Sequence, residues 1–118
     1  VLIADDSELI RSHLSDLINS SEKDLKLITS SDVSTTIQKL QQNSVQVLIL
    51  DISFPDGSGY QVLEFLKHQD HRPFVMVLTN LIGESVRKKG LQLGADLFFD
   101  KTEEYEKVVD EIIRLHDR

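Results

Sequence analysis

The chain has 118 residues, 40% hydrophobic and 28% charged, with a formal net charge of −7. That length carries one ordinary domain with a single core, and the acidic balance argues against gripping a nucleic-acid backbone. Cysteine is absent, which excludes disulfides, thiolate metal sites and cysteine nucleophiles. No apolar run reaches membrane-spanning length and nothing at the start resembles a signal peptide, so a cytoplasmic domain over residues 1–118 with no membrane partner is expected. The chain opens inside an apolar run, Val1-Leu2-Ile3-Ala4, so a few preceding residues are expected to have been trimmed.

Val1–Ala4 is the first expected strand, ending in Asp5-Asp6; Ser7 can cap the following helix and Glu8 suits its positive end. Leu9, Ile10, Leu14, Leu17 and Ile18 recur at helical spacing to about residue 19. Leu25–Thr29 is a weaker strand, and Val33, Ile37 and Leu40 mark a second helix that fades in Gln41-Gln42-Asn43. Val45 to Leu50 is an apolar run of strand length that stops at Asp51, followed by the turn-rich Ile52–Gly59. A third helix carries Val62, Leu63, Phe65 and Leu66, and Phe74–Thr79 is a second wholly apolar strand. Ile82, Val86 and Leu93 share one face of a fourth helix, which Gly90 and Gly94 weaken by roughly 1 kcal/mol for an interior glycine. Asp96–Phe99 is a short fifth strand leading into Asp100-Lys101, and the last helix carries Tyr105, Val108, Val109, Ile112, Ile113 and His116 on one stripe.

Five strands alternating with five helices predict an α/β domain: a doubly wound, five-stranded parallel sheet with helices on both faces. At this size the flavodoxin-like order 2-1-3-4-5 fits, with its switch point between strands one and three. That order sets Asp5, Asp6 and Asp51 side by side at one crevice, with Thr79 and Lys101 on the same rim. Crowded carboxylates repel, so at least one should titrate high unless a cation intervenes. Mg²⁺ (or Mn²⁺) suits such oxygen ligands, and Mg²⁺ keeps positions for water or phosphate. Asp51 is then either a ligand alone or a nucleophile forming an aspartyl phosphate. Lys101 offers fixed positive charge to a transferred phosphoryl group, and Thr79 a hydroxyl donor.

Asp5-Asp6, Asp51 with Pro55 and Gly59, Thr79, and Phe99-Asp100-Lys101 together resemble the response-regulator receiver domain of two-component signalling, along the whole chain. The Thr79-Asn80 pair and the Phe98-Phe99-Asp100-Lys101 ending are similar to single-domain, chemotaxis-type receivers. The resemblance implies that Asp51 accepts phosphate from a sensor histidine kinase or phosphotransfer protein and that the chain catalyses its own aspartyl phosphorylation and dephosphorylation. It implies Mg²⁺ held by Asp5, Asp6, Asp51 and the Ser53 backbone carbonyl. Lys101 would contact the phosphoryl group, Thr79 would move toward it, and Phe98 would occupy the aromatic switch position. A downstream protein target is implied, with a homodimer through the fourth and fifth helices as a further option and no direct nucleic-acid partner.

Three positions depart from the family's commonest pattern. Thr102 stands where a proline with a cis bond usually follows the lysine, Asn80 where a small residue follows Thr79, and Ser58 where Asp precedes the loop glycine. Intrinsic dephosphorylation is expected to be slow, with Ser53 and Leu81 flanking the path of water. Arg87-Lys88-Lys89 is either a solvated helix face or part of a partner surface. His13, His68, His71 and His116 show no metal-ligand spacing. A flavodoxin-type cofactor protein is disfavoured because Asp5-Asp6-Ser7-Glu8 repels an anion, and a dehalogenase-type phosphatase because Ser53 stands where it needs a second Asp. The competing function is a constitutive interaction module on the same fold, in which phosphorylation is vestigial.

Overall fold

The computed structural model describes residues 1–21, 24–81 and 83–116. Along the chain run β1 (Leu2–Ala4), α1 (Glu8–Asn19), β2 (Ile28–Ser30), α2 (Val33–Gln42), β3 (Val47–Leu50), β4 (Ser53–Phe54) and β5 (Gly57–Ser58). They are followed by α3 (Gly59–Leu66), β6 (Phe74–Thr79), α4 (Glu84–Gln92), β7 (Leu97–Asp100) and α5 (Tyr105–His116). One parallel sheet has the order β2-β1-β3-β6-β7. With the two-residue strands β4 and β5 set aside as a separate hairpin, this is the expected 2-1-3-4-5.

The central strands are apolar without interruption because both faces are covered. Leu2, Ala4, Leu48, Leu50, Val75 and Val77 face Val33, Val62, Leu63 and Leu66 of α2 and α3. Ile3, Val47, Ile49, Met76 and Leu78 face Leu14 and Ile18 of α1 and Val108, Val109 and Ile112 of α5. Local capping sets the helix starts: Ser7 Oγ accepts from Ile10 N, and Asp32 Oδ1 from Thr35 N.

Several expected boundaries shift. The second strand begins at Ile28, whose N–H donates to the Val1 carbonyl; Leu25 and Leu27 instead pack, half-buried, beside the α1/α5 core. The third begins at Val47 and the fifth runs Leu97–Asp100. Leu9 is 78% exposed, because α1 buries the stripe through Leu14 and Ile18 and Leu9 lies to one side of it. His116 likewise ends α5 exposed. Ile82 lies outside the described residues. The fourth helix starts at Glu84, its N-cap Gly83 makes no side-chain cap bond, and it buries only Gly90 among its residues, in keeping with its weak pattern. Among the described residues no helix is long and apolar enough to cross a membrane.

Candidate functional site

Register assembles the site before any side chain is considered. Ala4 pairs with Leu50, and the Asp51 N–H continues the ladder onto the Ala4 carbonyl at 3.0 Å. Asp5 and Asp51 are therefore neighbours on adjacent strand ends. Leu50 pairs with Val77 and Thr79 with Asp100, so Thr79 and Lys101 extend the same rim. Asp5, Asp51 and Thr79 are buried, at 3%, 5% and 1% exposure, while Asp6 is exposed.

Lys101 closes the crevice. Its Nζ lies 2.7 Å from Asp5 Oδ2 and 2.8 Å from Asp51 Oδ2, its side chain only 8% exposed. Burial by itself would lower the Lys101 pKa, but the bonds to Asp5 and Asp51, with their charge, outweigh it and hold the ammonium above its ordinary value. Burial pushes the Asp5 carboxyl up; the Lys101 bond and the Ser7 N–H to Asp5 Oδ1 (2.9 Å) offset this only in part, and the Asp51 charge adds to the rise. By formal charge the three carboxylates of Asp5, Asp6 and Asp51 outnumber the single Lys101 ammonium.

Carboxylate oxygens of Asp5, Asp6 and Asp51 lie within 4.8 Å of one another. An all-oxygen set with surplus negative charge fits a hard divalent cation. The loop offers one more oxygen. Gly59 N donates to the Ile52 carbonyl at 2.7 Å, which makes Ile52/Gly59 a hydrogen-bonded pair of the hairpin. Such pairs alternate in an antiparallel ribbon, so Ser53/Ser58 is a non-bonded pair and the Ser53 carbonyl stays outside the ladder. Ser58 N bonds Gln61 Oε1 instead, completing a capping box for α3.

The loop after Asp51 is shaped by contacts with no local sequence signature. Asp51 Oδ1 accepts from Ile52 N at 2.7 Å. Asp56 looks like an ordinary turn residue between Pro55 and Gly57, yet its carboxylate accepts from Val33 N (2.8 Å) and Ser34 N (3.0 Å), clamping the hairpin to α2. Those two amides hold the Asp56 carboxyl below the usual range. Arg11 likewise reaches back to the Asp5 carbonyl at 2.7 Å. Gly59 is required by a close approach, since a Cβ there would lie 2.2 Å from the Asp51 carbonyl oxygen. Gly59→Ala is expected to displace Asp51 and lower stability by about 1–3 kcal/mol, checked by denaturant unfolding.

Thr79 Oγ1 accepts from Leu81 N at 3.2 Å, leaving its own proton available for donation; Asn80 is exposed just beyond. Phe98 is half-buried toward α4, its ring 3.4 Å from where a Cβ on Gly90 would sit. The glycine that weakens α4 thus makes room for the aromatic. Arg87, Lys88 and Lys89 are exposed, and Lys89 Nζ sits 4.4 Å over the Tyr60 ring. The four histidines are exposed; His13 lies 5.2 Å from the Tyr105 ring. No cis peptide bond occurs among the described residues, so Lys101–Thr102 is trans.

Comparison with known proteins agrees with this architecture. The family model described as the response regulator receiver domain matches residues 1–113. The protein-glutamate methylesterase/protein-glutamine glutaminase of Methylobacillus flagellatus is 33% identical, aligned to all of this chain and 36% of its own length. The chain thus spans about a third of that relative. Among solved structures, a CheY-like receiver domain protein from Methanospirillum hungatei superposes with a TM-score of 0.86 at 18% identity, over 98% of this chain and 91% of that one. The response regulator domain of Thermotoga maritima CheB gives 0.82 at 23%, over 98% and 91%. These two establish the fold, and the family match over nearly the whole length establishes the kinship: the chain belongs to the response regulator receiver domain family.

Proposed function

We propose that this receiver domain accepts a phosphoryl group on Asp51 and thereby switches a protein-interaction surface. The observation that carries the reading is the Lys101 ammonium bonded to both Asp5 and Asp51, with Asp6 completing an oxygen cluster at the same strand ends.

An Asp51 carboxylate oxygen attacks phosphorus of a phosphohistidine on a sensor kinase or phosphotransfer protein, or of a small acyl phosphate. The new O–P bond forms as the bond to the donor breaks, and the leaving group departs with the electron pair. The phosphoryl charge sits on its peripheral oxygens, so catalysis consists of positioning and neutralisation. Lys101 supplies positive charge, and Thr79 can rotate its hydroxyl to donate to a phosphoryl oxygen, giving up the Leu81 amide. Asp5, Asp6, Asp51 and the Ser53 carbonyl would hold Mg²⁺ or Mn²⁺, which when bound supplies further charge neutralisation. Movement of Thr79 frees space that Phe98, against Gly90, can take, and this alters the α4 face offered to a downstream protein. Ser53 and Leu81, both exposed, flank the approach of the water that later hydrolyses the aspartyl phosphate. A cytoplasmic location follows from a kinase donor.

Intact mass after incubation with acetyl phosphate tests this directly. One phosphoryl adduct that forms with Mg²⁺ and not without it is expected. Absence of the adduct while Mg²⁺ still binds would instead favour a constitutive interaction module.

A further inference from the structure

The loop from β7 to α5 is built around Asp100. Its Oδ1 accepts from both Thr102 N (2.8 Å) and Thr102 Oγ1 (2.6 Å). Its N–H donates to Glu104 Oε1 at 3.2 Å, and its carbonyl accepts from Glu104 N at 2.8 Å. Glu104 is in turn tied to α5 through the Lys107 N–H and the Lys107 ammonium. Lys101 sits inside this bracket, its own N–H on the Thr79 carbonyl at 2.9 Å. Its side chain turns the other way, into the crevice, to meet Asp5 and Asp51.

A lysine stem has four rotatable carbons, so placing its ammonium between two buried carboxylates requires a fixed backbone origin. In this chain the peptide after Lys101 is trans, and Thr102 contributes an N–H that a proline lacks. Asx turns of this kind set backbone direction through one side-chain oxygen. Both Thr102 donors converge on that single oxygen, and neither Asp100 nor Thr102 bonds Asp5, Asp51 or Thr79 through its side chain.

We propose that Asp100 and Thr102 are positioning residues for phosphoryl transfer, an Asx bracket that aims Lys101 at the phosphoacceptor. The inference rests on the function proposed above. Asp100→Ala removes both bonds to Thr102 and is expected to slow phosphoryl uptake from acetyl phosphate at saturating Mg²⁺ roughly tenfold. Thr102→Val keeps the N–H and the bulk, loses the hydroxyl bond, and should fall between this and wild type. Thr102→Ser keeps both donors and should restore wild-type uptake. Mg²⁺ affinity, measured by calorimetry, should hardly change across the series, since the candidate cation ligands lie on other loops.

Uptake is measured per folded molecule, with circular dichroism confirming the fold and Thr102→Val serving if Asp100→Ala does not fold. Equal uptake in wild type, Thr102→Val and any folded Asp100→Ala, with only the melting temperature altered, would overturn the proposal. So would failure of Thr102→Ser to differ from Thr102→Val. No uptake by wild type would instead remove the functional reading on which the inference rests.

Discussion

Asp51→Asn is expected to take up no phosphoryl group from acetyl phosphate with Mg²⁺ present, while remaining folded. The amide has the shape of the carboxylate, and its oxygen can still accept the Ile52 N–H that Asp51 Oδ1 now accepts at 2.7 Å. Lys101 keeps Asp5 at 2.7 Å, so no buried ammonium is left unpaired. Chemistry and fold should therefore separate cleanly. An amide oxygen is a poor nucleophile toward phosphorus, and the variant also lacks one of three carboxylates able to hold a cation. Calorimetry should show weaker Mg²⁺ binding, and intact mass should show no adduct. A wild-type level of adduct would move the acceptor to Asp5 or Asp6, the remaining carboxylates of the cluster.

Lys101→Ala should lower the uptake rate about 100-fold at saturating Mg²⁺, the scale for deleting one preorganised donor to a developing oxyanion. It should also destabilise the metal-free protein by up to about 3 kcal/mol, because Asp5 and Asp51 lose the cation between their Oδ2 atoms. The pH dependence has a definite sign. Burial already raises the Asp5 carboxyl, and the Asp51 charge would then act on it without the opposing ammonium. A folded-state carboxyl raised above its unfolded value favours folding at low pH and loses that contribution as pH rises through the folded value. The stability deficit of Lys101→Ala should thus be largest near neutrality and shrink on mild acidification. Mg²⁺ should narrow it at neutral pH by binding the folded state. A deficit independent of both pH and Mg²⁺ in melting experiments would mean that Lys101 contributes mainly packing.

Uninterrupted runs such as Val47–Leu50 and Phe74–Thr79 fit strands covered on both faces, and their alternation with helical patterns made the five-stranded parallel architecture legible in the sequence. Charged groups emerge where such strands end, and with the expected strand order this puts Asp5, Asp51 and Lys101 on one rim. Leu9 shows the limit of periodicity: it is apolar and at plausible helical spacing, yet lies outside the stripe that Leu14 and Ile18 bury. Leu25 and Leu27 show another, since side-chain pattern does not say where a pairing partner begins.

Which residues lie at the strand ends was thus settled locally, by short-range physics acting along the chain. How they meet was settled only by tertiary structure. One ammonium bridges two carboxylates because register brings the ends of three strands together. Asp56 reaches across 23 residues to the first amides of α2, and Gly90 opens space for Phe98 from a different element. Hydrogen bonds and steric exclusion act over a few ångströms in space whatever the sequence separation. The residues carrying them therefore look ordinary until the fold sets their partners beside them.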